Sequence, residues 1–318
     1  MSVPPLKAAT DMPLETALYL QSGDEAVFAI RTSPVVPETG IGVVLAHSGY
    51  NNFSAHRNGV WTSISRQLAC AGIPSLRFDF AGTGESSGIF TYRLRGQPVA
   101  DETAAMDALR ATGCQQLLLV GSCFGAFPSV MASVAREDVA GVILLAPTLV
   151  SPDARGVATF WGRLREAVNR QTLRTVATNR DYRRWFFARL ASLAKTKVAV
   201  KLSRPARHAP ASSGAEPSAV VSPGRGLLME NELARLVTSG RQVEVVYGTN
   251  DDNLARVAAD PDASRALRLL REHRPRGLAW TELEGAVHGM EDIAVQEQLI
   301  GLVVGRAREL SNRGLTSR

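Results

Sequence analysis

The chain has 318 residues, 45% of them hydrophobic and 21% charged, with a formal net charge of +6. It reads as a soluble globular protein, long enough for one large α/β domain with an insertion or for two ordinary domains. No run of 18 apolar residues occurs and the opening "MSVPPLKAATDMPLE" lacks the apolar core of a signal peptide, so neither a membrane span nor export is expected and a cytoplasmic location is. Cys70, Cys114 and Cys123 are an odd set without close pairing, which argues against a disulfide framework and a Cys-rich zinc site; no metal or cofactor is expected.

Residues 15 to 33 alternate apolar and polar positions around Ser22-Gly23-Asp24, the pattern of a β-hairpin. The continuous apolar run "IGVVLAH" predicts a strand buried on both faces. Helical spacing over 60–72, a strand over 73–80 and a helix over 99–113 ending in glycine follow. "QLLLVGS" reads as a strand, "FGAFPSVMASVARE" as a helix with Pro128 in its first turn, and "AGVILLAPTLV" as another strand. This alternation predicts an α/β fold with a mostly parallel sheet, right-handed crossovers and helices on both faces.

At Ser151 the pattern changes. Residues 151 to 202 read as basic helical segments rich in Trp and Phe, and 203 to 226 as a Pro/Ser/Ala linker. Between Ser151 and Pro210 fourteen Lys or Arg face three Asp or Glu, so the basicity belongs to this one segment. No nucleic-acid-binding motif accompanies it, so neither nucleic acid nor membrane is an expected partner. The alternation then resumes with a helix at "LMENELARLVTSG", a strand at "QVEVVYG", a helix at "DASRALRLLREHR", a strand at "LAWTELE" and a long closing helix from Glu291. The organisation predicted is a core of 1–150 and 227–318 interrupted by a basic helical cap and flexible linker, 151–226.

Where "LLLVGSCFGA" turns from strand to helix, two nucleophiles compete. A strained strand-to-helix elbow needs small residues two positions either side of its tip. With Ser122 at the tip those positions are Val120 and Phe124; with Cys123 they are Gly121 and Gly125. Sterics select Cys123 over Ser122, and because the string closes a buried strand and opens a helix, a nucleophile is favoured over a merely buried structural cysteine.

The chain here resembles the α/β-hydrolase superfamily, in its serine-aminopeptidase-like branch. "LAHSGY" is similar to the oxyanion-hole segment after the third strand, "RFDFAGTGESSG" to the branch's Asp-x-x-Gly-x-Gly-x-Ser loop, and "GTND" and "AVHGM" stand where the family carries its acid and its histidine. The resemblance implies a mostly parallel sheet with an inserted helical cap and a Cys123, His288, Asp251 set, Asp252 being the alternative acid. It makes Asp79 structural and implies an oxyanion hole from the backbone N–H groups of Phe124 and Gly49. The sequence departs from the pattern twice: cysteine replaces the usual serine, as in dienelactone hydrolases, polyhydroxyalkanoate synthases and some acyl- or aminoacyl-transferring enzymes, and Ser48 replaces the glycine of His-Gly.

A thiol nucleophile loading from another thioester is close to thermoneutral, which favours transfer over hydrolysis. The leading expectation is therefore an acyltransferase moving an acyl or aminoacyl group from a carrier-protein or coenzyme A thioester through Cys123 to a small-molecule acceptor, in a setting such as specialised-metabolite biosynthesis. Acidic carriers and polyanionic coenzyme A suit a basic cap, with Arg183 and Arg184 as candidate docking residues. A hydrolase of thioesters, esters or lactones, and a non-catalytic binding protein on the same fold, are the alternatives.

Overall fold

The computed structural model describes residues 13–35, 40–49, 52–90, 95–150, 227–272 and 277–316. All of them fall in the unit formed by Met1–Ser151 and Arg225–Arg318. The predicted cap and linker, with Arg183 and Arg184, lie outside the described residues.

Eight strands form one sheet in the order β1-β2-β4-β3-β5-β6-β7-β8. The first two, β1 (Leu14–Ser22) and β2 (Glu25–Ser33), are the predicted hairpin, and β2 also runs antiparallel to β4 (Ser75–Phe78). From β4 onward every pairing is parallel. The central strands β3 (Ile41–Ala46), β5 (Gln116–Ser122), β6 (Val139–Leu145) and β7 (Gln242–Gly248) are nearly continuous apolar runs because helices cover both their faces. β8 (Leu278–Leu283) closes the far edge, with Leu278 buried and Ala279 and Glu282 exposed.

Between strands lie α1 (Val60–Cys70), α2 (Gln97–Arg110), α3 (Ala126–Ala135), α4 (Glu230–Thr238), α5 (Asp252–Ala259) and α6 (Pro261–Glu272), followed by α7 (Ile293–Thr316). On α1 the residues Val60, Trp61, Ile64, Ser65, Leu68 and Ala69 are buried, the stripe that a period of 3.6 places on one face. α2 starts two residues earlier than its apolar spacing suggests, since Pro98 suits the first turn, where no intrahelical N–H bond is lost. α7 continues to Thr316, beyond the predicted apolar pattern. Among the described residues no helix is long and apolar enough to cross a membrane.

Parallel strands aim their C-terminal ends at one edge of the sheet. The loops after β3, β4, β5, β6, β7 and β8 therefore converge there, the place where open α/β sheets bind ligands.

Candidate active site

β5 ends at Ser122, in extended conformation with φ −101°, and the chain turns through a short 3-10 segment, Cys123–Gly125, into α3. Cys123 occupies the left-handed region with φ 49°, which costs a non-glycine residue about 1–3 kcal/mol unless its surroundings enforce it. They do so by close packing. A Cβ on Gly121 would sit 2.5 Å from the Gly125 carbonyl oxygen, and one on Gly125 2.6 Å from the carbonyl oxygens of Ala46 and His47. Both glycines thus supply space, and the strained tip between them presents the thiol. The competing hydroxyl of Ser122 is fully buried and has no hydrogen-bond partner among the described residues.

His288 follows β8 in the loop before α7, and its Nε2 lies 3.3 Å from Cys123 Sγ. The sulfur is held in opposing fields. Burial pushes the thiol up from its ordinary value, while the Thr148 hydroxyl, the Phe124 N–H and the Arg57 charge each pull it back toward the thiolate.

Asp251 stands at the start of α5, yet its carboxylate does not cap that helix. Its Oδ1 accepts the main-chain N–H of His288 at 2.9 Å and its Oδ2 that of Gly248 at 2.7 Å. It is 4% exposed, whereas the adjacent Asp252 points to solvent. Family logic leads one to expect the acid on the imidazole Nδ1; here Asp251 holds the histidine's loop through its backbone, and Nδ1 has no partner among the described residues.

The expected second oxyanion donor requires a correction. Gly49, at φ 99°, folds its loop back so that its N–H donates to His47 Nδ1 at 3.1 Å. Burial pushes His47 down to about 3, so its imidazole is neutral and its lone pair engages this amide. The Phe124 N–H, directed at the sulfur, remains as the donor at the elbow. Asp79 is structural, as expected: buried, it accepts the N–H groups of Ser54 at 2.5 Å and Glu85 at 3.0 Å, and a Cβ on Gly84 would clash with it at 2.0 Å.

Sequence reasoning missed Thr148, Asn253 and Arg57. Thr148 lies after β6, where Ala146 takes φ 43°, and Asn253 Nδ2 donates to the Ala146 carbonyl at 3.2 Å while lying 3.5 Å from Thr148 Oγ1. No motif marks these residues. The signal available was their address on the same sheet edge as the elbow, Thr148 one strand over, after β6, and Asn253 two strands over, after β7.

These features agree with comparison to known proteins. A family model described as the alpha/beta hydrolase family matches residues 43–292. The chain belongs to this family. As an α/β hydrolase it is similar in fold to the Pyrococcus furiosus esterase Pf2001, at 12% identity and TM-score 0.58, over 95% of this chain and 91% of that one. It is also similar to the proline iminopeptidase of Mycobacterium smegmatis, at 13% identity and TM-score 0.54, over 94% and 100% of the two chains. A third is the dienelactone hydrolase of Anabaena variabilis, at 14% identity and TM-score 0.53, over 92% and 96%. No curated protein matches the sequence significantly.

Behind the elbow of this α/β hydrolase lies a fully buried carboxyl. Ser129 Oγ is 2.6 Å from Glu102 Oε1 and 2.9 Å from the Gly125 carbonyl oxygen. A hydroxyl has one proton to give, so a protonated Glu102 donating to Ser129, which donates to Gly125, satisfies both contacts. Burial pushes Glu102 up to about 8, consistent with that neutral form. An acid raised on folding loses stability as pH climbs from the ordinary carboxylate range toward 8, at up to about 1.4 kcal/mol per pH unit, and the loss levels off above. Glu102→Gln keeps the donor to Ser129 without the ionisable proton. Its melting temperature should exceed that of the parent at pH 8 and converge with it near pH 5; parallel curves across that range would contradict a neutral buried Glu102.

Proposed function

We propose that this α/β hydrolase is an acyl-transfer enzyme that takes an acyl or aminoacyl group from a carrier-protein or coenzyme A thioester, holds it as a thioester on Cys123 and passes it to a small-molecule acceptor. The observation that carries this reading is the 3.3 Å approach of His288 Nε2 to a sulfur fixed at a strained elbow tip. His288 accepts the thiol proton as Sγ attacks the carbonyl, and the Phe124 N–H faces the developing oxyanion. Collapse of the tetrahedral adduct breaks the bond to the donor sulfur, which leaves as a thiol with the proton from His288. An amine, alcohol or thiol acceptor then gives its proton to His288 and attacks the enzyme thioester, and Cys123 leaves as the thiolate and recovers that proton from His288. Asp251 fixes the loop from which His288 reaches the sulfur. In this reading the basic segment with Arg183 and Arg184 recruits the acidic carrier or the coenzyme.

A hydrolase using water as acceptor is the second reading. It is favoured by fold neighbours named as an esterase, an iminopeptidase and a dienelactone hydrolase. The lifetime of the acyl adduct separates the two. Protein loaded from an acyl-coenzyme A or acyl-carrier donor, freed of excess donor and followed by intact mass, should keep its adduct in buffer and lose it when an amine, alcohol or thiol is added. Decay within seconds in buffer alone makes water the acceptor.

A further inference from the structure

Residues 56–59 form a turn whose backbone is strained on both sides of Arg57: His56 has φ 59°, Asn58 φ 53° and Gly59 φ 68°. Two bonds hold this shape. The Arg57 N–H donates to His56 Nδ1 at 2.7 Å, and Asn58 Nδ2 donates to the Met290 carbonyl at 2.8 Å, which ties the turn to the loop carrying His288. His56 stacks on Trp61 with ring centroids 4.6 Å apart and is kept neutral by burial, pushed down to about 3. Arg57 is different: exposed, permanently charged, and without an ion-pair partner among the described residues, although its charge is felt at Cys123. Backbone strain of this kind clusters at active sites and ligand clamps, and here it lies on a turn bonded to the loop that carries His288.

We infer that Arg57 is a specificity-determining residue that pairs with a carboxylate on the acyl group itself, so that the preferred substrates are half-thioesters or half-esters of dicarboxylic acids. Asn58 ties the turn of Arg57 to the loop of His288, whose Nε2 lies 3.3 Å from the thiol. A cation carried on this turn therefore suits a charge a few atoms from the scissile carbonyl, whereas the phosphates of a pantetheine donor lie at the far end of its arm. The recognition of an anion at Cys123 stands independently of acyl transfer; only the naming of the acyl group rests on that reading.

Two measurements test this. Alkylation of Cys123 by iodoacetate and by iodoacetamide, followed by peptide mass, compares an anion with a neutral reagent that needs the same thiolate. Arg57→Gln slows both, by weakening the thiolate, but should lower the iodoacetate-to-iodoacetamide rate ratio by about tenfold, equivalent to about 1.4 kcal/mol. Arg57→Lys should retain most of the ratio, and added salt should reduce it in the parent. An equal effect of Arg57→Gln on both reagents overturns anion recognition.

The second measurement loads succinyl and butyryl groups from coenzyme A and from N-acetylcysteamine, which has no phosphate. Succinyl should be preferred from both donors, through KM, and Arg57→Gln should abolish the preference. A preference for coenzyme A over N-acetylcysteamine, indifferent to the acyl group and lost in Arg57→Gln, moves the partner to the donor phosphate and overturns the acyl assignment. If neither donor loads while the alkylation ratio behaves as expected, the acyl-transfer reading fails, and with it the acyl assignment; anion recognition at Arg57 stands.

Discussion

Replacing Cys123 with alanine should lower acyl transfer by about 10³-fold or more, with circular dichroism and melting temperature close to those of the parent. The two changes separate because Cys123 is a tip residue whose side chain contributes little to the core, whereas the proposed covalent step has no substitute nucleophile. Ser122 cannot take over: it points into the protein from an extended strand end. His288→Ala should behave differently. Removing the base leaves the thiol, which burial already holds above its ordinary value, so the rate should fall by about 10²- to 10⁴-fold near neutrality. That variant should then recover as pH rises, by up to about tenfold per unit while the thiolate fraction grows. A His288→Ala variant with parental rates, or with no gain at high pH, would argue that the imidazole does not serve as the base. Steady-state rates over pH 6 to 10 with a simple thioester are sufficient for the comparison.

Alanine at Gly125 should be strongly damaging. The added Cβ meets the carbonyl oxygens of Ala46 and His47 at 2.6 Å, atoms of β3 and its following loop that belong to the buried sheet and have nowhere to move. Overpacking against side chains costs about 1–3 kcal/mol, and against backbone the upper end applies. Gly121→Ala meets the Gly125 carbonyl oxygen at 2.5 Å and should cost a similar amount. Relief requires α3 to lift away from the sheet, which would also move the Cys123 sulfur relative to His288. Urea unfolding should show midpoints shifted down in both variants. Thiol reactivity should change more than stability alone explains, whereas Gly301→Ala, inside α7 with open space around it, should leave thiol reactivity unchanged and raise the urea midpoint, since alanine is favoured over glycine by about 0.5–1 kcal/mol in a helix interior.

The elbow was legible in sequence because its rule is local. Two glycines flanking one residue in a strand-to-helix turn report a steric requirement of the backbone itself, and the close approaches at Gly121 and Gly125 are that requirement in atomic form. The order of strands and helices was legible for the same kind of reason, since a central strand such as β5 must be apolar on both faces while α1 is apolar on one. Choosing Asp251 over Asp252 depended on family spacing, and burial distinguishes the two.

What sequence did not show depends on how loops from different strands meet. The direction of the Gly49 N–H is set by a positive φ and by a buried neutral imidazole two residues earlier, neither visible as a pattern. Thr148 acts on the sulfur only because β5 and β6 are neighbours, and the turn of Arg57 meets the loop of His288 because Asn58 is tied to Met290, 232 positions along the chain. Charge counting pointed instead to the basic segment around Arg183 and Arg184. A single exposed arginine on a turn tied to the loop of His288 carried no compositional signal.

The central claim is that Cys123 becomes covalently acylated. It is tested most directly by incubating the protein with an acyl thioester, quenching in acid, and locating the added mass by peptide sequencing. The account predicts one acyl group on the peptide containing Cys123, absent from Cys123→Ala and strongly slowed in His288→Ala. Modification found instead on Cys70, which is exposed, or an adduct that persists in Cys123→Ala, would contradict it.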